Sequence, residues 1–381
     1  MFKFNHKVAI LAVALSTLGM SASQVQAQSY SCSDATYGSG GTYSEATNCD
    51  ANNTANQSST VTTSTAVLKA AASQTSRMIS DRVATALDGG SAFQVSHNGF
   101  SASTGMAAGD HAGKIGAWVG GSWSNVEDDN ASTEFDGSVY SGMVGVDYRV
   151  TPKVVVGLSL GYESTDIDTV YNGFGGQDGN IDADGYTIAP YIGYKILDNV
   201  SANLTVGYSN LEYDTSRYDP NTGNKITGST DADRYFVNAS VQGDQMFHGK
   251  WHARGKVSAF YASEEKDAFT ETESTGSTIA NSKRDTDFGQ ASLDAKVGYV
   301  FDQIEPYGLI GLEYDFTKDE APVAAGQNRG SLDDSDFGAK FGAGLDFKIA
   351  PNITGGFEGY TVEFRDDYSE YTFTGGLRVQ F

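Results

Sequence analysis

The sequence predicts an all-β chain: a transmembrane antiparallel β-barrel of about twelve strands with an N-terminal α-helix in its pore. Three observations carry that reading. Apolar and polar residues alternate over a series of strand-length stretches, tight turns alternate with long polar connections, and the chain ends on an aromatic.

The last stretch, Tyr371 to Phe381, sets the pattern. Tyr371, Phe373, Leu377, Val379 and Phe381 fall on one side of an extended strand, and Thr372, Thr374, Arg378 and Gln380 fall on the other. A flat apolar edge at a chain end invites aggregation in water. In lipid it closes a barrel, and its apolar face meets hydrocarbon. From Phe337 to Ile349 the same alternation runs through Ala339, Phe341, Ala343, Leu345 and Phe347.

The chain has 381 residues, a formal charge of −23, 45 Gly, 6 Pro, 21 Tyr and 20 Phe. Its mean hydropathy is −0.34. With no apolar run of about 18 residues after the first 27, a helical membrane protein is excluded, whereas a barrel is not, because alternating strands average out. Strong acidity argues against nucleic acid as a partner, which needs clustered Lys and Arg.

Taken in order, residues 1–27 carry Lys3 and Lys7, an apolar stretch from Val8 to Leu18 and a small-residue cleavage site ending at Ala27, which reads as a signal peptide. Its removal takes the formal charge from −23 to about −25. Gln28 to Thr63 is rich in Ser, Thr, Asn and Gly, too poor in large apolar residues to order well. It holds the two cysteines of the chain, Cys32 and Cys49, expected to form a disulfide worth roughly 3 kcal/mol. Ser64 to Leu87 reads as a helix: Leu68, Ala72, Ile79, Val83 and Ala86 recur at helical spacing, and Gly89-Gly90 stops it. Its Lys69, Gln74, Arg77, Asp81 and Arg82 are too polar for lipid and suit a polar lumen. Residues 64–113 are thus expected to be pore helix and linker, and 114–381 the barrel.

Twelve strand-like segments follow, near 114–124, 135–150, 154–165, 183–197, 200–213, 233–247, 251–265, 285–301, 305–315, 335–349, 353–364 and 368–381. Tight turns at 151–153, 198–199, 248–250, 302–304 and 350–352 alternate with polar loops at 166–182, 215–231, 267–284 and 317–334. Short turns on one side and long loops on the other is the outer-membrane arrangement. Outward faces would carry residues such as Val154, Leu158, Tyr186, Ile192, Leu204 and Val206. Lumen-facing charges would be Lys114, Asp147, Arg149, Glu163, Lys195, Arg254, Lys256, Asp294, Lys296, Lys340, Asp346 and Arg378, able to pair with one another or with the helix.

Signal peptide, helix, the opening strand KIGAWVGGSWSNVE at Lys114 to Glu127, about twelve strands and the terminal aromatic together resemble the autotransporter β-domain, the translocator of type V secretion. The resemblance spans Ser64 to Phe381. It implies a barrel in the bacterial outer membrane with a helix in its pore, no enzyme, and assembly by periplasmic chaperones and the outer-membrane insertion machinery, which reads Tyr371, Phe373, Leu377, Val379 and Phe381 as a C-terminal signal. The family usually carries a long passenger; only about 36 residues, Gln28 to Thr63, precede this helix. Members that cleave themselves do so between paired Asn residues in the pore, and Asn52-Asn53 lies upstream of the expected helix.

No catalytic, cofactor or metal site is expected. Ser159 sits mid-strand in a G-x-S-x-G without the strand-to-helix elbow. Asn180 to Gly185 resembles the start of a calcium loop but has Tyr191 where a Glu is needed, leaving a loose site at Asp178, Asp182 and Asp184 as the alternative to a solvated acidic loop. His97, His111, His248 and His252 show no ligand spacing. The expected function is a monomeric membrane anchor exposing its loops, and with them the short N-terminal segment, at the cell surface; the alternatives are a small-solute diffusion channel and a surface adhesin whose host ligand the sequence does not name.

Overall fold

A computed structural model describes residues 51–87, 114–129, 134–169, 179–219, 222–318 and 335–381. The expected signal peptide, the Cys32–Cys49 pairing, Asp178, His97 and His111 lie outside these residues. Among the described residues one helix, α1 (Ala51–Leu87), is followed by fourteen strands: β1 (Ile115–Asp128), β2 (Phe135–Thr151), β3 (Val154–Thr169), β4 (Gly179–Leu197), β5 (Val200–Tyr218), β6 (Lys225–Phe247), β7 (Trp251–Lys266), β8 (Phe269–Glu273), β9 (Thr278–Asn281), β10 (Arg284–Tyr299), β11 (Ile304–Lys318), β12 (Phe337–Ala350), β13 (Ile353–Glu363) and β14 (Tyr368–Gln380). No helix among the described residues is long and apolar enough to cross a membrane.

Twelve strands make a closed antiparallel barrel. Each pairs with its neighbour in sequence, β7 passing directly to β10, and β14 returns to β1 in register from Gly116↔Gln380 to Asp128↔Tyr368. Closure removes both edges, so the wall's backbone donors and acceptors are satisfied within the ladder, as hydrocarbon surroundings demand. β8 and β9 lie inside the stretch read as the polar loop 267–284; they form a hairpin that adds to the long-loop end of β6 through Ile226↔Glu273 and Thr227↔Thr272. Beside its turn, Thr275 and Asn224 donate to Glu273 and hold that carboxyl below its ordinary value.

The outward face is layered. On β4, Tyr186, Ile188, Ile192, Tyr194 and Ile196 are exposed, and the ten residue steps from first to last, at about 3.3 Å each with a tilt near 40°, span about 25 Å. That matches the apolar band of an outer-membrane barrel. Its upper rim is aromatic, with Tyr162 against Tyr186 and Tyr208 against Tyr235 at centroid separations of 5.3 and 5.2 Å. Above the rim the outward positions turn acidic. Tyr162, Tyr208 and Tyr261 each donate to an aspartate on the next barrel strand, Asp184, Asp233 and Asp287, at 2.8, 2.6 and 2.9 Å.

Two expectations need correction. The helix begins at Ala51 rather than Ser64, so the supposedly unordered tail of the N-terminal segment is helical and Asn52-Asn53 occupies the first helical turn, not a position upstream of it. Its Asn, Ser and Thr residues are poor helix formers, and the extra turns continue a helix already anchored downstream. Several strands also run beyond the expected limits, β6 reaching back to Lys225, because above the lipid band the ladder continues while the outward residues become polar.

Replacing Leu158 at mid-band by Arg should cost about 2–4 kcal/mol, and Asp168→Arg above the band about 0–1 kcal/mol, in guanidinium unfolding of the barrel from phospholipid bilayers.

Candidate functional site

The lumen is the candidate site, and α1 fills it. Apolar residues on one face of the helix, including Ile79, Val83 and Ala86, pack with Trp118, Met143, Val155, Ala189 and Tyr191 of β1 to β4. Gly193 makes room: a Cβ there would sit 2.4 Å from Val83 Cγ1. Farther toward the long-loop end, Ala70 and Ala71 join a second apolar cluster with Val126, Phe135, Val139, Ile167 and Leu211. The lumen wall is therefore apolar on the side the helix leans against.

The opposite face is charged. Lys69 Nζ lies 3.9 Å from Glu313 Oε1 and 3.8 Å from Asp315 Oδ2, over the ring of Tyr368. Arg77 reaches Glu358 at 3.5 Å and Asp294 at 3.8 Å and stacks on Tyr360. Asp81 accepts from Lys256 at 3.0 Å and faces Lys296 at 4.0 Å. Gln74 donates to Ser124, Asn203 donates to Ser80 at 3.1 Å, and Arg149 donates to the Ala86 carbonyl. Arg82 lies beside Gly376 and makes no ion pair among the described residues.

These contacts fix the helix's direction. Lys69 meets the end of the barrel where the long loops emerge, whereas Val83 and Leu87 meet Gly193 near the tight turn at Asp198. The remaining helix, Ala51 to Val67, adds about 25 Å toward the long-loop end at 1.5 Å per residue.

The wall also pairs with itself. Arg378 meets Asp147 at 2.6 Å, Arg254 meets Asp346 at 2.6 Å and Glu305 at 3.0 Å, Lys296 meets Glu358 at 2.6 Å, and Lys340 meets Glu313 at 3.0 Å. Glu163 joins a bridge that sequence reasoning missed, Arg234 to Glu163 at 2.7 Å and to Glu264 at 2.8 Å. Lys114 is half-buried at the tight-turn end of β1, and Lys195 lines a cavity there. His252, given no role above, lies 3.0 Å from Glu305.

Arg365 is the other residue missed. It sits in the short connection between β13 and β14, an exception to the rule of long loops at this end. Positive φ at Phe364 (66°) and Asp367 (58°) turns the chain so that Phe364 points outward onto Phe341 while Arg365 enters the lumen. There it clamps Glu313 at 2.8 Å and Asp315 at 2.7 Å, the same carboxylates that face Lys69. These three buried charges are tolerable because the guanidinium matches both carboxylates.

Tyr371, Phe373, Leu377 and Phe381 are exposed on the outside of β14, with Val379 half-buried, whereas Thr372 and Arg378 are buried. Ser159 of β3 donates to the Ala189 carbonyl of β4 at 3.0 Å. Asn180 to Gly185 is strand, not loop, and among the described residues no His, Cys, Asp or Glu group is arranged for a metal.

A closed twelve-stranded barrel threaded by a helix from its N-terminal side is now in view, and residues 117–359 match the autotransporter beta-domain family. The chain belongs to the autotransporter β-domain family. The autotransporter barrel is similar in fold to the translocator domain of autotransporter NalP from Neisseria meningitidis, with a TM-score of 0.61 and 14% identity over 82% of this chain and 97% of that one. It is similar also to the beta domain of the Bordetella autotransporter BrkA, with a TM-score of 0.54 and 14% identity over 70% and 100%. Among curated proteins, it is 25% identical over 251 residues to the putative uncharacterized protein YaiT of Escherichia coli K12 and 24% identical to YaiT of Salmonella typhimurium. The match takes in 63% of this chain and 24% of each relative, so the chain spans about a quarter of their length.

Arg365→Ala should cost about 3–5 kcal/mol in guanidinium unfolding, since it strips Glu313 and Asp315 of their closest cation while leaving both buried.

Proposed function

We propose that this autotransporter barrel anchors the chain in the bacterial outer membrane as a monomer, exposes its long loops at the cell surface and holds the polypeptide that precedes α1 on that same side. The observation that carries the reading is the helix's direction through the lumen, with Lys69 toward the long-loop end and Leu87 at the tight-turn end. A plug paired to the wall at three levels favours an anchor over a small-solute channel. Adhesion through the acidic loops is compatible with the anchor, its ligand unnamed.

On this reading residues 1–27 direct export, Cys32 and Cys49 close a displayed segment, and periplasmic chaperones and the insertion machinery recognise Tyr371, Phe373, Leu377, Val379 and Phe381. The outward, lipid-ready array of those side chains supports the last role. The chain works by position and not by chemistry.

Protease shaving of intact cells, with mass spectrometry of the released peptides, tests the topology. Cuts are expected within 267–284 or 319–334; cuts confined to the turns near 198 and 302 would invert it.

A further inference from the structure

At the tight-turn end of the lumen a cavity of about 210 Å³ lies beside the last turns of α1. The carboxylates around it are mostly committed: Asp81 to Lys256, Asp346 to Arg254, Glu358 to Lys296, Asp294 to Lys340. Arg82 is different. It lines the cavity, no carboxylate among the described residues lies within 4.0 Å of it, and its Nε is buried without a hydrogen bond. Behind it the wall is glycine, since a Cβ on Gly376 would fall 2.4 Å from Arg82 Nη2. The guanidinium is thus held at the cavity by backbone packed close on one side.

Thr354 and Thr374 line the same cavity, and neither side chain makes a hydrogen bond among the described residues. An unpaired cation removed from bulk water is costly unless something neutralises it. A planar fork of N–H donors with hydroxyls nearby is the donor set that an oxyanion requires. Arg254, Lys256 and Lys296, which also face the space, each meet a carboxylate, and Asp198 and Asp244 line it as well, so the room for a negative group is local, beside the guanidinium of Arg82.

We propose that this cavity binds a small oxyanion, with Arg82 as its principal ligand and Thr354 and Thr374 as supporting donors. The shared chemistry is that of a phosphate or a carboxylate, and its source is either a free inorganic ion or the C-terminus of a short peptide entering from the tight-turn end. The volume admits either group, and the paired carboxylates close by disfavour ligands of higher charge.

The test uses the full chain folded in detergent, with folding checked by heat-modifiable gel migration. Calorimetry at low ionic strength would titrate inorganic phosphate, triglycine and amidated triglycine. Binding of phosphate alone assigns the inorganic source; binding of triglycine as well, but not of its amide, extends the site to peptide carboxylates. In either case Arg82→Gln should weaken binding at least tenfold, Arg82→Lys should fall between, and Arg217→Gln, which removes an ion pair with Glu271 far out on the long-loop side, should leave it unchanged. Undiminished binding in folded Arg82→Gln, equal binding of the amide, or no binding by the wild-type chain would overturn the proposal.

Discussion

The rest of the molecule depends on the ladder that joins β14 to β1. Hydrocarbon offers no partner for a free N–H or C=O, so a sheet in lipid must return to its own first strand. Thirteen paired positions, from Gly116↔Gln380 to Asp128↔Tyr368, do this. Once the ring is closed, the pleat assigns every side chain to lipid or lumen, and a shift of one residue would exchange the two. The same constraint explains why Phe381 can end a strand on an aromatic, with Phe381 N donating to the Ile115 carbonyl at 2.8 Å across the seam.

Closure creates the second problem, a lumen crowded with charge. The answer is division of labour. The β1 to β4 side is apolar where Ile79, Val83 and Ala86 lean on it, and the side formed by β7 and β10 to β13 supplies the carboxylates and amines that match Lys69, Arg77 and Asp81. A helix polar all round could not seat itself so firmly, and one apolar all round would leave Asp294 and Glu358 short of a cation. Removing either the helix or its partners breaks buried pairs, which is costly in a way that never having made them is not.

Local pattern made much of this legible. Alternation found all twelve wall strands, and tight turns such as Ala350-Pro351-Asn352 set their order, because both signals are written in neighbouring residues. Other features could not be read. The start of α1 at Ala51 was hidden by a run of Asn, Ser and Thr whose helicity depends on the packed helix after it. The β8–β9 hairpin was hidden by polar residues that look like loop, since above the lipid nothing forces alternation. Arg365 and Arg234 carried no signal because their partners lie 50 and 71 residues away, at Asp315 and Glu163. Charges at Lys340 or Arg378 could be assigned to the lumen, but which carboxylate each would meet is a property of the closed ring.

The most direct measurement is electron paramagnetic resonance of nitroxide labels placed singly along β5 from Ala202 to Ser209 in phospholipid bilayers. A lipid-facing wall predicts oxygen accessibility that alternates residue by residue, high at Ala202, Leu204, Val206 and Tyr208 and low at Asn203, Thr205 and Ser209. If the first set were instead reached by a water-soluble nickel quencher, those side chains would face water and the barrel would not stand in a membrane.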